Sequence, residues 1–191
     1  MRKNDFAFSR RTGLVVIMLV IVALAGCSSL QDMLKPTTVE QVNYKPVAKP
    51  EWKDKTIYID FDTNYGIWDN LYASDLSLNI KDDLIESVVE DKIFHVQDKM
   101  TTAKYLYKIE VRIANPVITT NSSGVIQSIS ATFRIKSYDV KGNLVIAKTR
   151  EVRYDAPMLT VTTTNSQQTL IKNYIHNASQ GIRETMYESL K

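Results

Sequence analysis

The 191-residue sequence predicts a two-layer α+β domain. It reads as a mostly antiparallel sheet of four to five strands with two amphipathic helices on one face, in the order β-α-(β)-β-β-β-α. Three observations predict this. Strands in the second half alternate apolar and polar residues, so one face is packed and one is wet. Two separate segments repeat apolar residues at helical spacing. Two short clusters of Asn, Asp, Ser and Gly separate the strands as hairpin turns.

The elements follow in order. Thr56-Ile57-Tyr58-Ile59-Asp60-Phe61 is a β-rich run and the first strand. Residues 62–70 form a loop with Tyr65, Gly66 and Trp68. Leu76, Ile80, Leu84 and Val88 recur every four residues, which predicts a helix over 74–90 capped by Ser74 or Asp75. Ile93-Phe94-His95-Val96 is a short edge strand. Over 104–115 the odd positions Tyr105, Tyr107, Ile109, Val111 and Ile113 are apolar. Over 125–139, Ile129, Ala131, Phe133 and Ile135 alternate with polar residues. Residues 144–154 alternate less cleanly, as a bulged or edge strand does. Asn121–Gly124 and Asp139–Asn143 are the turns. Residues 166–189 form the second helix, with Leu170, Tyr174, Ala178, Ile182 and Met186 on its apolar stripe. Gly181 weakens it by about 1 kcal/mol relative to Ala.

The charge is unevenly placed. Residues 1–26 hold four bases and one acid, which is the whole net charge of +3. From Cys27 onward, 20 bases meet 20 acids. A nucleic-acid partner is therefore not expected, since binding a polyanion needs surplus bases on the folded part. The one cysteine forms no disulfide within the chain and no cysteine metal cluster.

The N-terminus is basic over 1–12 and unbroken apolar over 13–25. That run is short of the roughly 20 residues of a spanning helix and reads as a secretory signal. It ends Leu24-Ala25-Gly26-Cys27, which resembles the lipobox of bacterial lipoprotein signals. The resemblance implies cleavage before Cys27 and lipidation of its thiol. Ser28 after the cysteine implies delivery to the outer membrane, with the domain facing the periplasm. The expected organisation is a signal peptide over 1–26, a lipidated Cys27 with an extended tether over 27–55, and one domain over 56–191. The tether reading rests on Pro36, Pro46 and Pro50, each preceded by Lys.

Chemistry is sparsely signalled. His95 and His176 lie in different elements without ligands at metal spacing. No nucleophile elbow, Cys–His pair or phosphate loop is present in the sequence. Asp60 and Asp62 close the first strand as a carboxylate pair, or as a strand end turning into solvent. The expectation is a protein with no catalytic residues, cofactor or metal. Lys108, Arg112, Arg134 and Lys136 fall on polar strand faces, and Lys148, Arg150 and Arg153 cluster on the next strand. The first four form a candidate face for an anionic ligand, or a solubilising surface. Tyr65, Ile67, Trp68, Leu71 and Tyr72 are a partner patch or the floor of the core.

The lipobox, tether and element order together resemble the lipopolysaccharide-assembly lipoprotein family, whose members plug an outer-membrane translocon. Asn165-x-Gln167, Ile171-Lys172, Ala178 and Ile182 resemble that family's last helix, although Ser166-Gln167-Gln168 lacks its preceding acidic residue. The resemblance implies an accessory of outer-membrane assembly or lipopolysaccharide transport. Its partners would be the membrane through Cys27, an outer-membrane protein or envelope complex, and lipopolysaccharide. Other envelope lipoproteins share the layout. The alternative is a regulator of a peptidoglycan synthase, or a component of a secretion or ABC-transport machine.

Overall fold

The computed structural model describes residues 44–63, 68, 75–97, 99, 104–156 and 164–190. The expected signal peptide over 1–26 and Cys27 lie outside them, as do Tyr65, Ile67, Leu71, Tyr72 and Ser74. The elements are β1 (Lys55–Phe61), α1 (Leu76–Glu90), β2 (Phe94–Gln97), β3 (Tyr107–Thr120), β4 (Ile126–Asp139), β5 (Leu144–Asp155) and α2 (Thr164–Ser189). The class is α+β in the predicted order.

The five strands form one sheet in the order β2-β1-β3-β4-β5. The predicted antiparallel pairing holds for β3 with β4 and for β4 with β5. On the other side, β1 pairs in parallel with both β2 and β3, so the sheet is mixed. Helix α1 makes the parallel geometry possible, because it carries the chain back to the start of β2.

One apolar core lies between sheet and helices. Ile57 and Ile59 of β1, Ile109 and Val111 of β3, and Phe133 and Ile135 of β4 are buried on the same sheet face. They meet Ile80, Leu84 and Val88 of α1 and Tyr174, Ala178 and Ile182 of α2. Strand β5 buries only Val152 among its large apolar residues, which explains its blurred alternation: it is the sheet edge. It is also bulged, since Ser137 pairs with Ile146 and Tyr138 with Leu144, passing over Val145. A larger bulge, not expected, lies in β3, between the pairs Ala114↔Thr132 and Val117↔Ser130. Asn115 there takes φ 49, and Pro116 can donate no ladder bond. Two residues of β3 thus oppose Ala131 alone, and the strand continues to Thr120.

The two hairpins are built alike. Asn121 Oδ1 accepts from the amides of Ser123 and Val125 at 3.0 Å each. Asp139 Oδ1 accepts from those of Lys141 and Asn143 at 2.8 and 2.9 Å. Gly124 and Gly142 follow at φ 76 and 79, where a side chain would strain the backbone.

The predicted tether extends less far than residue 55. Residues 44–55 pack on the domain: Trp52 is 3% exposed, and its ring lies 5.2 Å from Phe94 and 6.3 Å from Tyr187. Tyr44 lies 6.3 Å from Tyr187. Burying an aromatic ring contributes more than the prolines' extended preference opposes, so this part of the segment docks. Lys49 Nζ sits 5.0 Å over the Trp52 ring and bonds the Leu190 carbonyl at 3.4 Å.

Candidate functional site

Both helices lie on one side of the sheet, so no described helix covers its other face. Polar residues of β1, β3 and β4 alternate outward onto it because their neighbours are committed to the core. The registers Asp60↔Glu110, Glu110↔Lys136, Arg112↔Arg134 and Lys108↔Tyr138 place all four predicted cations on this face.

Their electrostatic states differ. Asp60, from β1, takes Arg112 Nη2 at 2.9 Å and Lys108 Nζ at 3.2 Å. Glu110 takes Lys108 Nζ at 2.9 Å and the Tyr138 hydroxyl at 3.2 Å. Lys108 and Arg112 are therefore paired with acids. Partial burial would raise the Asp60 carboxyl, but the hydrogen bonds and charges of Arg112 and Lys108 outweigh it and hold it below the usual carboxylate value. Glu110 is likewise lowered: Lys108 and Tyr138 overcome its partial burial. The hydrogen bond to Glu110 raises Lys108, and that to Asp60 raises Arg112.

Arg134 and Lys136 are exposed and make no ion pair with a described residue. Arg134 stands directly opposite Arg112, an arrangement of like charges that disfavours the strand pair. Of the four cations, Arg134 and Lys136 are therefore the two without an acid partner among the described residues. Tyr58 and Tyr105, with ring centres 6.0 Å apart, extend the face beyond the charges.

Two residues of the β5 cluster face the other way. The registers Phe133↔Arg150 and Ile135↔Lys148 put Arg150 and Lys148 on the helix side. There they pair with Glu184 at 3.2 Å and Glu188 at 2.8 Å of α2. Only Arg153 joins the open face, paired at 2.8 Å with Asp155.

The remaining candidates separate. His95 lies on edge strand β2, and His176 lies on α2, with Nδ1 3.6 Å from Asp83. Asp60 is engaged by cations. Among the described residues, no three His, Cys, Asp or Glu side chains converge as a metal site. No described helix is long and apolar enough to cross a membrane. Trp68 is buried: it donates to Ser77 Oγ at 2.8 Å and meets Tyr174 edge-on at 6.1 Å, closing the core.

Sequence reasoning marked Asp60 as a strand-end carboxylate but did not bring it, or Glu110, against the cations that they neutralise. Their signal was present, since Asp60 and Glu110 also sit at outward positions. The register that brings them to Lys108 and Arg112 was not legible.

The fold and this face define a class: a two-layer α+β domain with a charged sheet face that no described helix covers. No protein-family profile matches the chain, and no curated protein matches it. It is similar to protein XCC0632 from Xanthomonas campestris, of the family DUF330, with a TM-score of 0.52 and 11% identity, covering 77% of this chain and 93% of that one. It also aligns with the PelC dodecamer from Paraburkholderia phytofirmans at a TM-score of 0.44 and 13% identity, covering 73% and 91% of the two chains. Lipoprotein GNA1162 from Neisseria meningitidis aligns at 0.37 and 6%, covering 66% and 99%. The first of these is a likeness of fold.

Proposed function

We propose that this chain is a non-catalytic, lipid-anchored lipoprotein of the bacterial cell envelope. It serves outer-membrane assembly or lipopolysaccharide transport by docking a β-barrel or lipid partner on its open sheet face. One structural observation carries the docking: Arg134 and Lys136 stand without an ion pair to any described residue, on a face that no described helix covers. The envelope location rests on Leu24-Ala25-Gly26-Cys27 behind the apolar run 13–25. On this reading the domain faces the periplasm from the outer membrane, held by the acyl chains on Cys27. Cross-linking the full chain in cells and identifying its main partner tests the proposal. The expected partner is an outer-membrane β-barrel or lipopolysaccharide, and Arg134→Glu with Lys136→Glu abolishes its capture. A peptidoglycan synthase or inner-membrane transporter as the main partner overturns this reading in favour of the regulatory one.

A further inference from the structure

The described residues leave six large apolar side chains exposed: Val47, Val89, Val117, Val140, Leu144 and Val145. All but Val117 lie at one end of the domain. That end is defined by contacts. Tyr107, the first residue of β3, pairs with Asp139, the last of β4, so the β4–β5 turn lies there. Ser137 Oγ meets Ser189 Oγ at 2.9 Å, and Lys148 meets Glu188 at 2.8 Å, so α2 ends there. Asp91, at the end of α1, accepts from the Tyr187 hydroxyl at 2.8 Å, so α1 ends there too. Val117, beyond the β3 bulge, pairs with Ser130 towards the other end.

Two further observations bear on what meets this end. The described chain begins here, at Tyr44 against Tyr187, 17 residues after Cys27 in the sequence. The end also carries several lysines: Lys45, Lys53, Lys55, Lys92 and Lys141 are exposed, against exposed Glu51, Asp54, Glu90 and Glu188, the last paired with Lys148. Val140 and Leu144 are 62% and 54% exposed on either side of Lys141 and Gly142. Nothing in the fold requires apolar residues there, because Asp139, Gly142 and Asn143 close the turn. Apolar side chains at a turn tip, beside Lys141 and at the same end of the sheet as the other lysines, match a lipid headgroup boundary. There the apolar groups reach the acyl region and the ammonium groups meet phosphates.

We infer that this end is the membrane-facing surface of the domain, with the β4–β5 turn touching an anionic lipid bilayer through Val140 and Leu144. The inference rests on the anchored reading above and adds an orientation to it: both helices end at the bilayer, and the open sheet face stands across it, accessible to a partner.

The test uses the full chain, acylated at Cys27, in vesicles of phosphatidylethanolamine with a minority of phosphatidylglycerol. An environment-sensitive fluorophore is attached at Val140→Cys, at Leu144→Cys or at Val117→Cys, and nitroxide-labelled lipids serve as quenchers. Quenching several-fold stronger at positions 140 and 144 than at 117 is expected. Equal quenching at both ends, or stronger quenching at 117, overturns the orientation. Failure of the anchor reads out separately, as fluorophore attached to a free Cys27 thiol in the unsubstituted chain.

Discussion

Arg183 of α2 grips Asp91, at the end of α1, with both arms of its guanidinium: Nε donates to Oδ2 at 2.8 Å and Nη2 to Oδ1. The two side chains are only 11% and 8% exposed. Tyr187 adds its hydroxyl to the same carboxylate at 2.8 Å, and Gln180 Oε1 receives Arg183 Nη1 at 2.5 Å. The cluster locks the two helices together at the end where residues 44–52 dock. Removing the cation leaves a buried carboxylate unpaired. Arg183→Ala is expected to destabilise the domain by about 3 kcal/mol or more. Urea unfolding followed by circular dichroism checks this, and a loss below about 1 kcal/mol would contradict a buried, closed pair.

Stability should fall at both pH extremes, for different groups. The folded values of Asp60 and Glu110 lie below their ordinary ones. The unfolded chain therefore binds more protons as pH drops. Their contribution is present above about pH 5 and is lost as pH falls through the folded values. Burial raises Tyr174, and burial followed by the Asp91 hydrogen bond raises Tyr187. Their contribution is present below the ordinary tyrosine value of 10.0 and is lost as pH rises above it. Unfolding midpoints across pH should trace this dome, and Tyr187→Phe should flatten its alkaline limb. An unchanged alkaline limb in that variant would count against the assignment.

Gly181 sits inside α2, where glycine costs about 1 kcal/mol relative to alanine. An added Cβ would lie 3.3 Å from Arg150 Nε and 3.5 Å from Val152 Cγ2. The tight neighbour is an exposed, flexible side chain that can shift. Gly181→Ala is therefore expected to raise stability by about 0.5 kcal/mol, less than the full propensity gain. Thermal unfolding decides: a lowered midpoint would mean that the Arg150 stem is fixed by its pairing with Glu184.

Gln167 is the residue through which the start of α2 holds the start of β4. Its Oε1 accepts from the Ile126 amide at 2.9 Å, and its Nε2 approaches the Ile126 carbonyl at 3.5 Å, with both residues buried. Gln167→Leu leaves a buried amide without its acceptor and should cost about 1–3 kcal/mol. Amide exchange at Ile126 should rise in parallel, and unchanged exchange would refute the role. Gln167 belongs to the pattern that resembles the lipopolysaccharide-assembly lipoproteins, and in this fold it does structural work.

Much of the fold was legible in local periodicity. Leu76, Ile80, Leu84 and Val88 announce α1 at spacing four, and the β3 and β4 alternations announce which face is wet. Asn115-Pro116 was also visible, but in sequence it reads as the end of a strand. Only the pairing with β4 shows that β3 bulges there and continues. The candidate face was half legible: the outward direction of Lys108, Arg112, Arg134 and Lys136 follows from alternation, whereas their pairing does not.

By itself the sequence determined the N-terminal charge and apolar run, the α+β class, the element order and both hairpin turns. Each depends on neighbours within a few residues, where spacing maps directly onto geometry. Tertiary structure alone decided that β1 joins the sheet in parallel beside β3, bringing Asp60 to Lys108 and Arg112. It also decided that Lys148 and Arg150 turn to the helices, and that Trp52 docks beside Tyr187. These depend on register and on contacts between residues distant along the chain. Shifting a strand by one position would turn Asp60, Lys148 or Arg150 to the opposite face while leaving the local patterns unchanged.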